Sequence, residues 1–217
     1  DTAVILYLIY MAMTVIEVIL LCLGGMPFFE SLLHSFGTAG TGGFGVKSDS
    51  IAGYSPYLQW VIGIFMVLFG INFNLYYLII AKKIKAALKS SELWCFVGII
   101  AVSSLLITFN IRNLFPSFSD SLRAAFFQVS SIISTTGYAT ADFNLWPAFS
   151  KYLLLLLMFV GGCAGSTAGG IKVSRIIMMF KMVHNEIKRL IHPRAITSLR
   201  FEGKSVGGTT SKNVSNY

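Results

Sequence analysis

Apolar residues fill the stretch Ala3–Leu23 almost without interruption, with Glu17 as its only charge. A bilayer core needs about 20 helical residues to cross, so this run predicts a first membrane span. Gly24, Gly25 and Pro27 end it. A second apolar run, 28–36, is too short to cross. It leads into Gly37-Thr38-Ala39-Gly40-Thr41-Gly42-Gly43-Phe44-Gly45, a stretch with no helical periodicity. Residues 57–81 predict a second full span, closed by Lys82, Lys83, Lys85 and Lys89.

The same order then returns. Residues 93–109 predict a short span extended by its flanks, and 112–120 a polar connection. Residues 121–133 predict a short helix with Asp120 or Ser121 as N-cap. Ser134-Thr135-Thr136-Gly137-Tyr138-Ala139-Thr140 is a second irregular stretch. Trp146-Pro147 begins a return, and the run 152–182 enters a second basic group of Lys172, Arg175, Lys181, Lys188, Arg189 and Arg194. Thr41-Gly42 aligns with Thr136-Gly137, Pro56 with Pro147 and Gly70 with Gly161. This internal repeat divides the chain into a helix–loop–helix unit at 1–90, another at 91–192, and a cytoplasmic connection at 193–217. The chain reads as a fragment of a longer polypeptide.

Composition agrees with a lipid solvent. Apolar residues make up 55% of the 217 and charged residues only 12%, half the usual share, and the mean hydropathy is +0.72. The net charge of +8 lies in two groups directly after apolar runs. That is the positive-inside pattern rather than a nucleic-acid patch, and it puts both short-helix-plus-loop units on the outer side. Cys22, Cys95 and Cys163 are too far apart for a metal site or disulfide framework. No Ser/His/Asp set or carboxylate pair suggests an enzyme.

Irregular backbone at membrane depth persists only where it is buried in protein or lines water. Carbonyls of a Thr/Gly-rich loop can replace the hydration shell of a cation. Threonine hydroxyls add ligands, and the preceding short helix turns its negative C-terminal end toward the ion. Thr135-Thr136-Gly137-Tyr138 is similar to the Thr-Val-Gly-Tyr-Gly filter of potassium channels, and Gly40-Thr41-Gly42-Gly43 is a looser copy. Gly161, Gly162, Gly165, Gly169 and Gly170, with Ser166, Thr167 and Lys172, interrupt the last span. Glycine costs about 1 kcal/mol per helical residue relative to alanine, so the helix is expected to break there. The segment reads as a flexible gate beneath the loops or as a close-packing surface. It is not a phosphate loop, because Ile171 separates Gly170 from Lys172 and no Ser or Thr follows that lysine.

These motifs, in this order over residues 1 to about 200, resemble the membrane subunits of the bacterial Trk/Ktr potassium-uptake systems, especially the TrkH type. The resemblance implies an all-α integral membrane fold, with four helix–pore-loop–helix repeats around one pore. This chain would hold the second and third. It implies a multi-pass protein of the bacterial inner membrane that takes up potassium, with no bound cofactor and potassium as substrate. The filter would comprise Gly40, Thr41, Gly42, Gly43, Thr135, Thr136, Gly137 and Tyr138. Gly42 or Gly43, with Gly137, would be the key glycines. Residues 161–172 would be the gating loop. Partners implied are the lipid bilayer, a second copy in a homodimer, and a cytosolic nucleotide-binding regulatory subunit. Sodium transport or symport, a broken-helix transporter for another solute, and a non-conducting scaffold remain alternatives.

Other side chains have plainer expectations. Glu17 reads equally as a functional carboxylate or a paired structural one. Asn72 and Asn74 are expected to bond between helices, and His34 to pack behind the first loop. Asp142 reads as a solvated surface charge, and Trp60, Trp94 and Trp146 as interface anchors.

Overall fold

A computed structural model describes residues 2–191, 200–201 and 204–205. The remainder of the expected connection at 193–217, including Arg194, lies outside the described residues. The helix α1 (Thr2–Leu23) turns at Gly24-Gly25 into α2 (Phe28–Ala39). After an outer loop come α3 (Pro56–Phe69), α4 (Phe73–Ile80) and the single turn α5 (Ile84–Leu88). The second unit holds α6 (Ser91–Ile111), α7 (Phe118–Ile133), α8 (Ala148–Phe159) and α9 (Val173–Ile191). A two-residue antiparallel pair joins Arg200–Phe201 to Lys204–Ser205.

Local chemistry accounts for most helix starts. Ser55 caps α3 by accepting from Leu58 N, with Pro56 at the first position, where its missing N–H costs nothing. Ser90 caps α6. The cap of α7 is Ser117 rather than the expected Asp120 or Ser121. Its Oγ accepts from Asp120 N at 3.1 Å and donates to Asp120 Oδ2 at 2.7 Å. The helix therefore begins a turn earlier than its apolar pattern. The Ser117 hydroxyl, and then Arg123 at 2.8 Å, hold the Asp120 carboxyl below the usual carboxylate range. Their help to the cap is present at neutral pH and fades as pH falls through that lowered value.

Among the described residues, Ala3–Leu23 and Ser91–Leu114 are helices long and apolar enough to cross a membrane. The expected continuous span at 57–81 is instead two helices, α3 and α4, bent by 91° at Gly70–Asn72. Among the described residues, the Asn72 side chain makes no bond to another helix, contrary to expectation. Its Oδ1 accepts from Asn74 N at 2.9 Å and caps α4. A side chain that competes for backbone donors favours a helix end over a helix interior.

Two apolar clusters form the core. One gathers Leu21, Met26, Ile62, Met66 and Phe69; the other gathers Phe96, Ile107, Ile111, Ile133 and Leu154. Phe127 and Tyr138 of the second unit sit in the first unit's cluster and join the two. Trp146 is buried in the second cluster, and Trp60 stacks on Phe126 with ring centres 5.1 Å apart. Trp146 thus packs inside rather than anchoring an interface, while Trp60 is half-buried and Trp94 stays exposed. Val4, Tyr7, Leu8, Val15 and Ile19 leave a wholly apolar face of α1 uncovered, which a lipid solvent permits and water does not.

Candidate functional site

The loops after α2 and α7 follow the same backbone path. Gly40 N and Ser134 N close their helices on Phe36 O and Ser130 O. Thr41 N then bonds Thr38 O as Thr135 N bonds Ile132 O. Gly42 N bonds Gly37 O as Thr136 N bonds Ser131 O. Thr41 and Thr135 both take positive φ, 52° and 59°, as do Gly43 and Gly137, 67° and 90°. The register is thus one residue from the sequence alignment. Thr41 matches Thr135, Gly43 matches Gly137, and Phe44 matches Tyr138. Placing a threonine in the left-handed region costs about 1–2 kcal/mol, so each loop carries strain at the same point.

Among the described residues, the carbonyl oxygens of Thr41, Gly42, Gly43, Thr135, Thr136 and Gly137 accept no hydrogen bond. Nearby groups are well bonded. Tyr138 O accepts from Ser131 Oγ at 2.6 Å, and Ala139 O from Ile51 N at 3.0 Å. These six unpaired acceptors fall in two runs of three, 41–43 and 135–137, within the motif stretches.

The two loops interlock. A Cβ on Gly43 would overlap the Thr136 carbonyl oxygen. Tyr138 is fully buried and reaches into the first unit, with its Oη 3.2 Å from Phe44 O and 3.3 Å from His34 Nδ1. His34 Nε2 lies 3.3 Å from Tyr54 Oη, and Tyr54 donates to Glu30 Oε2 at 2.6 Å. His34 is thus buried between two tyrosines behind the first loop. Gly37 leaves the space that the Tyr138 hydroxyl fills. Gly37→Ala is expected to lower stability by about 1–3 kcal/mol, the usual cost of overpacking. Tyr138→Phe, which vacates that space, should recover part of the loss. A double-mutant cycle on thermal unfolding in detergent measures the coupling, and additive losses would refute it.

Residues 160–172 are a folded, non-helical excursion between α8 and α9. Val160 pairs with Ile171 as a parallel bridge. Gly161 N bonds Ile171 O at 2.9 Å, and Val173 N bonds Gly162 O at 3.1 Å. A Cβ on Gly161 would overlap Gly169 O, so the entering and leaving strands touch. The segment bonds both loops and the α3–α4 break. Gly169 N donates to Thr135 Oγ1 at 2.7 Å, and Thr41 Oγ1 lies 3.5 Å from Thr167 O. Cys163 N bonds Gly70 O at 2.9 Å, Thr167 N bonds Phe69 O at 3.3 Å, and Phe73 N bonds Gly165 O at 3.2 Å. Ser166 Oγ bonds Cys163 O, and Lys172 Nζ bonds Ala168 O. Every motif residue singled out in the sequence therefore lies in one contiguous region.

Two carboxylates complete the surroundings. Glu17 is fully buried beside Thr38, whose hydroxyl is taken by His34 O at 2.8 Å. Neither Glu17 oxygen has a hydrogen-bond partner among the described residues, so of its two readings the paired structural one finds no partner there. Glu92, which the sequence reading passed over, is 4% exposed and accepts from Ala164 N and Ser174 N. Its signal was a lone carboxylate in the first turn of a span, just after a basic group. Asp142 is exposed and caps a short turn through Asn144 N.

Comparison with known proteins gives a consistent answer. Residues 1–214 match the family model described as "TrkH: Cation transport protein". The Trk system potassium uptake protein TrkH of Salmonella typhimurium is 37% identical over 212 residues, covering 95% of this chain and 44% of that protein. The TrkG protein of Escherichia coli is 37% identical over 221 residues, covering 99% and 45%. The crystal structure of the potassium transporter TrkH from Vibrio parahaemolyticus superposes with a TM-score of 0.92 at 32% identity, over 99% of this chain and 47% of that one. The chain spans less than half the length of each of these relatives. On these grounds the chain belongs to the TrkH family of cation transport proteins, membrane proteins that are not enzymes.

Proposed function

We propose that this chain forms two of four pore-loop units of a potassium-uptake pathway in the bacterial inner membrane. Residues 40–43 and 135–138 supply filter oxygens, with Gly43 and Gly137 as the matched glycines. Two runs of three consecutive carbonyls without protein donors among the described residues carry this reading. Each unpaired carbonyl held away from water costs several kcal/mol, to order of magnitude, unless something coordinates it. A dehydrated alkali cation does so. The C-terminal ends of α2 and α7 face the same loops and add negative potential. Residues 161–172 gate the path, since they bond both loops at Thr41 and Thr135. The family relatives named for potassium uptake support potassium as the substrate, with sodium as a competitor. The complete protein is multi-pass, pairs as a homodimer and answers to a cytosolic nucleotide-binding subunit.

Rubidium flux into liposomes by the complete subunit, with sodium competition, tests the reading. Gly137 has open space where a Cβ would sit and a φ of 90°. Gly137→Ser therefore meets no clash but strains the loop backbone. It should fold and lose about tenfold in potassium-over-sodium preference, equivalent to roughly 1.4 kcal/mol. An unchanged preference counts against the filter. A second reading, a broken-helix carrier of another small solute, draws on the breaks in both α3–α4 and α8–α9. Absence of any rubidium flux would favour it.

A further inference from the structure

Within the gating reading above, on which this step rests, we infer that Glu92 is the latch that holds the glycine-rich segment in its folded position. Glu92 lies in the first turn of α6, directly after the first basic group, and is 4% exposed. One of its oxygens, Oε1, accepts from Ala164 N at 2.7 Å and from Ser174 N at 3.1 Å. Ala164 lies within the excursion, and Ser174 in the first turn of α9 just beyond its end. A single carboxylate oxygen therefore ties the segment and the start of α9 together on the opening helix of the same unit. It also supplies an acceptor to one of the N–H groups that a helix N-terminus leaves unpaired, where negative charge is favoured.

The chemistry suits a latch better than a packing contact. Hydrogen bonds to a carboxylate are about twice as strong as neutral ones. Both donors here are backbone amides, so moving the segment relative to α9 breaks the bond to Ala164 while Glu92 stays held at Ser174. The other bonds of the segment to Phe69, Gly70, Thr41 and Thr135 are neutral and in part long. Glu92 is a positioning residue: it touches the gate, not the ion.

The test uses the complete subunit in liposomes without its regulatory partner. Glu92→Ala is expected to raise basal rubidium flux about tenfold by shifting the segment away from its folded position. The potassium-over-sodium ratio should stay unchanged, because the filter loops are not altered. Glu92→Gln keeps a carbonyl oxygen for the two amides and should remain near the native flux. A merely structural role would lower flux or leave it unchanged in a folded Glu92→Ala protein, and that result overturns the latch. If Glu92→Ala does not purify as a monodisperse protein, Glu92→Asp, one methylene shorter, carries the same expectation and the same refutation. Removing residues 164–169 separates the two ideas. Raised flux there with no response in the Glu92 variants refutes the latch alone, while no response to the deletion refutes the gate.

Discussion

Gly43→Ala is expected to abolish potassium selectivity and destabilise the complete subunit by about 2–5 kcal/mol. Two costs combine. Alanine at a φ of 67° loses about 1–2 kcal/mol in the left-handed region. Its Cβ also overlaps the Thr136 carbonyl oxygen, with the Thr136 and Gly137 carbonyl carbons close behind. Those atoms are backbone, so no side-chain rotation relieves the overlap, and overpacking adds about 1–3 kcal/mol. The loop that gives way is one of the two proposed to bind the ion. Gly42→Ala is the control, because a Cβ there meets only the Phe44 ring, at 3.2 Å. Rubidium and sodium flux, with thermal unfolding, should rank Gly43→Ala far below Gly42→Ala. Equal behaviour would refute the assignment of Gly43 as the partner of Gly137.

Removing residues 164–169 is expected to raise basal flux by about tenfold or more, the response of a closed state that loses its main holding contacts. The missing residues carry Gly169 N, the donor to Thr135 Oγ1, and Thr167 O, the neighbour of Thr41 Oγ1. Both contacts join the segment to the strained threonines of the two loops. Potassium preference should be largely kept, since the six free carbonyls remain. The deletion also strips Phe69 O of its Thr167 donors, so some loss of thermal stability is expected beside the gain in flux. Flux that falls or stays level would instead favour a packing role for the small residues.

The match between prediction and structure follows the range of the forces involved. The first and third spans, the two short helices and the two irregular loops were legible because hydrophobic runs and glycine breaks act locally. The glycine-rich break between α8 and α9 was legible for the same reason. The break within 57–81 is not legible in the sequence, because isolated residues such as Gly70, Asn72 and Asn74 are weak signals in a long apolar run. A bend of 91° there leaves Phe69 O and Gly70 O without helical partners, and the donors that satisfy them come from Thr167 and Cys163. The two helix breaks complete one another across a distance in sequence that no local pattern spans.

From the sequence alone come a lipid solvent, a doubled helix–loop–helix order, and the short list of residues able to present bare carbonyls. Composition and glycine spacing determine these, because burial and backbone freedom are properties of neighbours in the chain. Tertiary structure alone decided that Gly43 pairs with Gly137, that Tyr138 locks one unit to the other through His34, and that Glu92 ties the glycine-rich segment to the start of α9. Each depends on where a buried polar group finds its partner, and in a medium without water that partner must come from wherever the fold brings one.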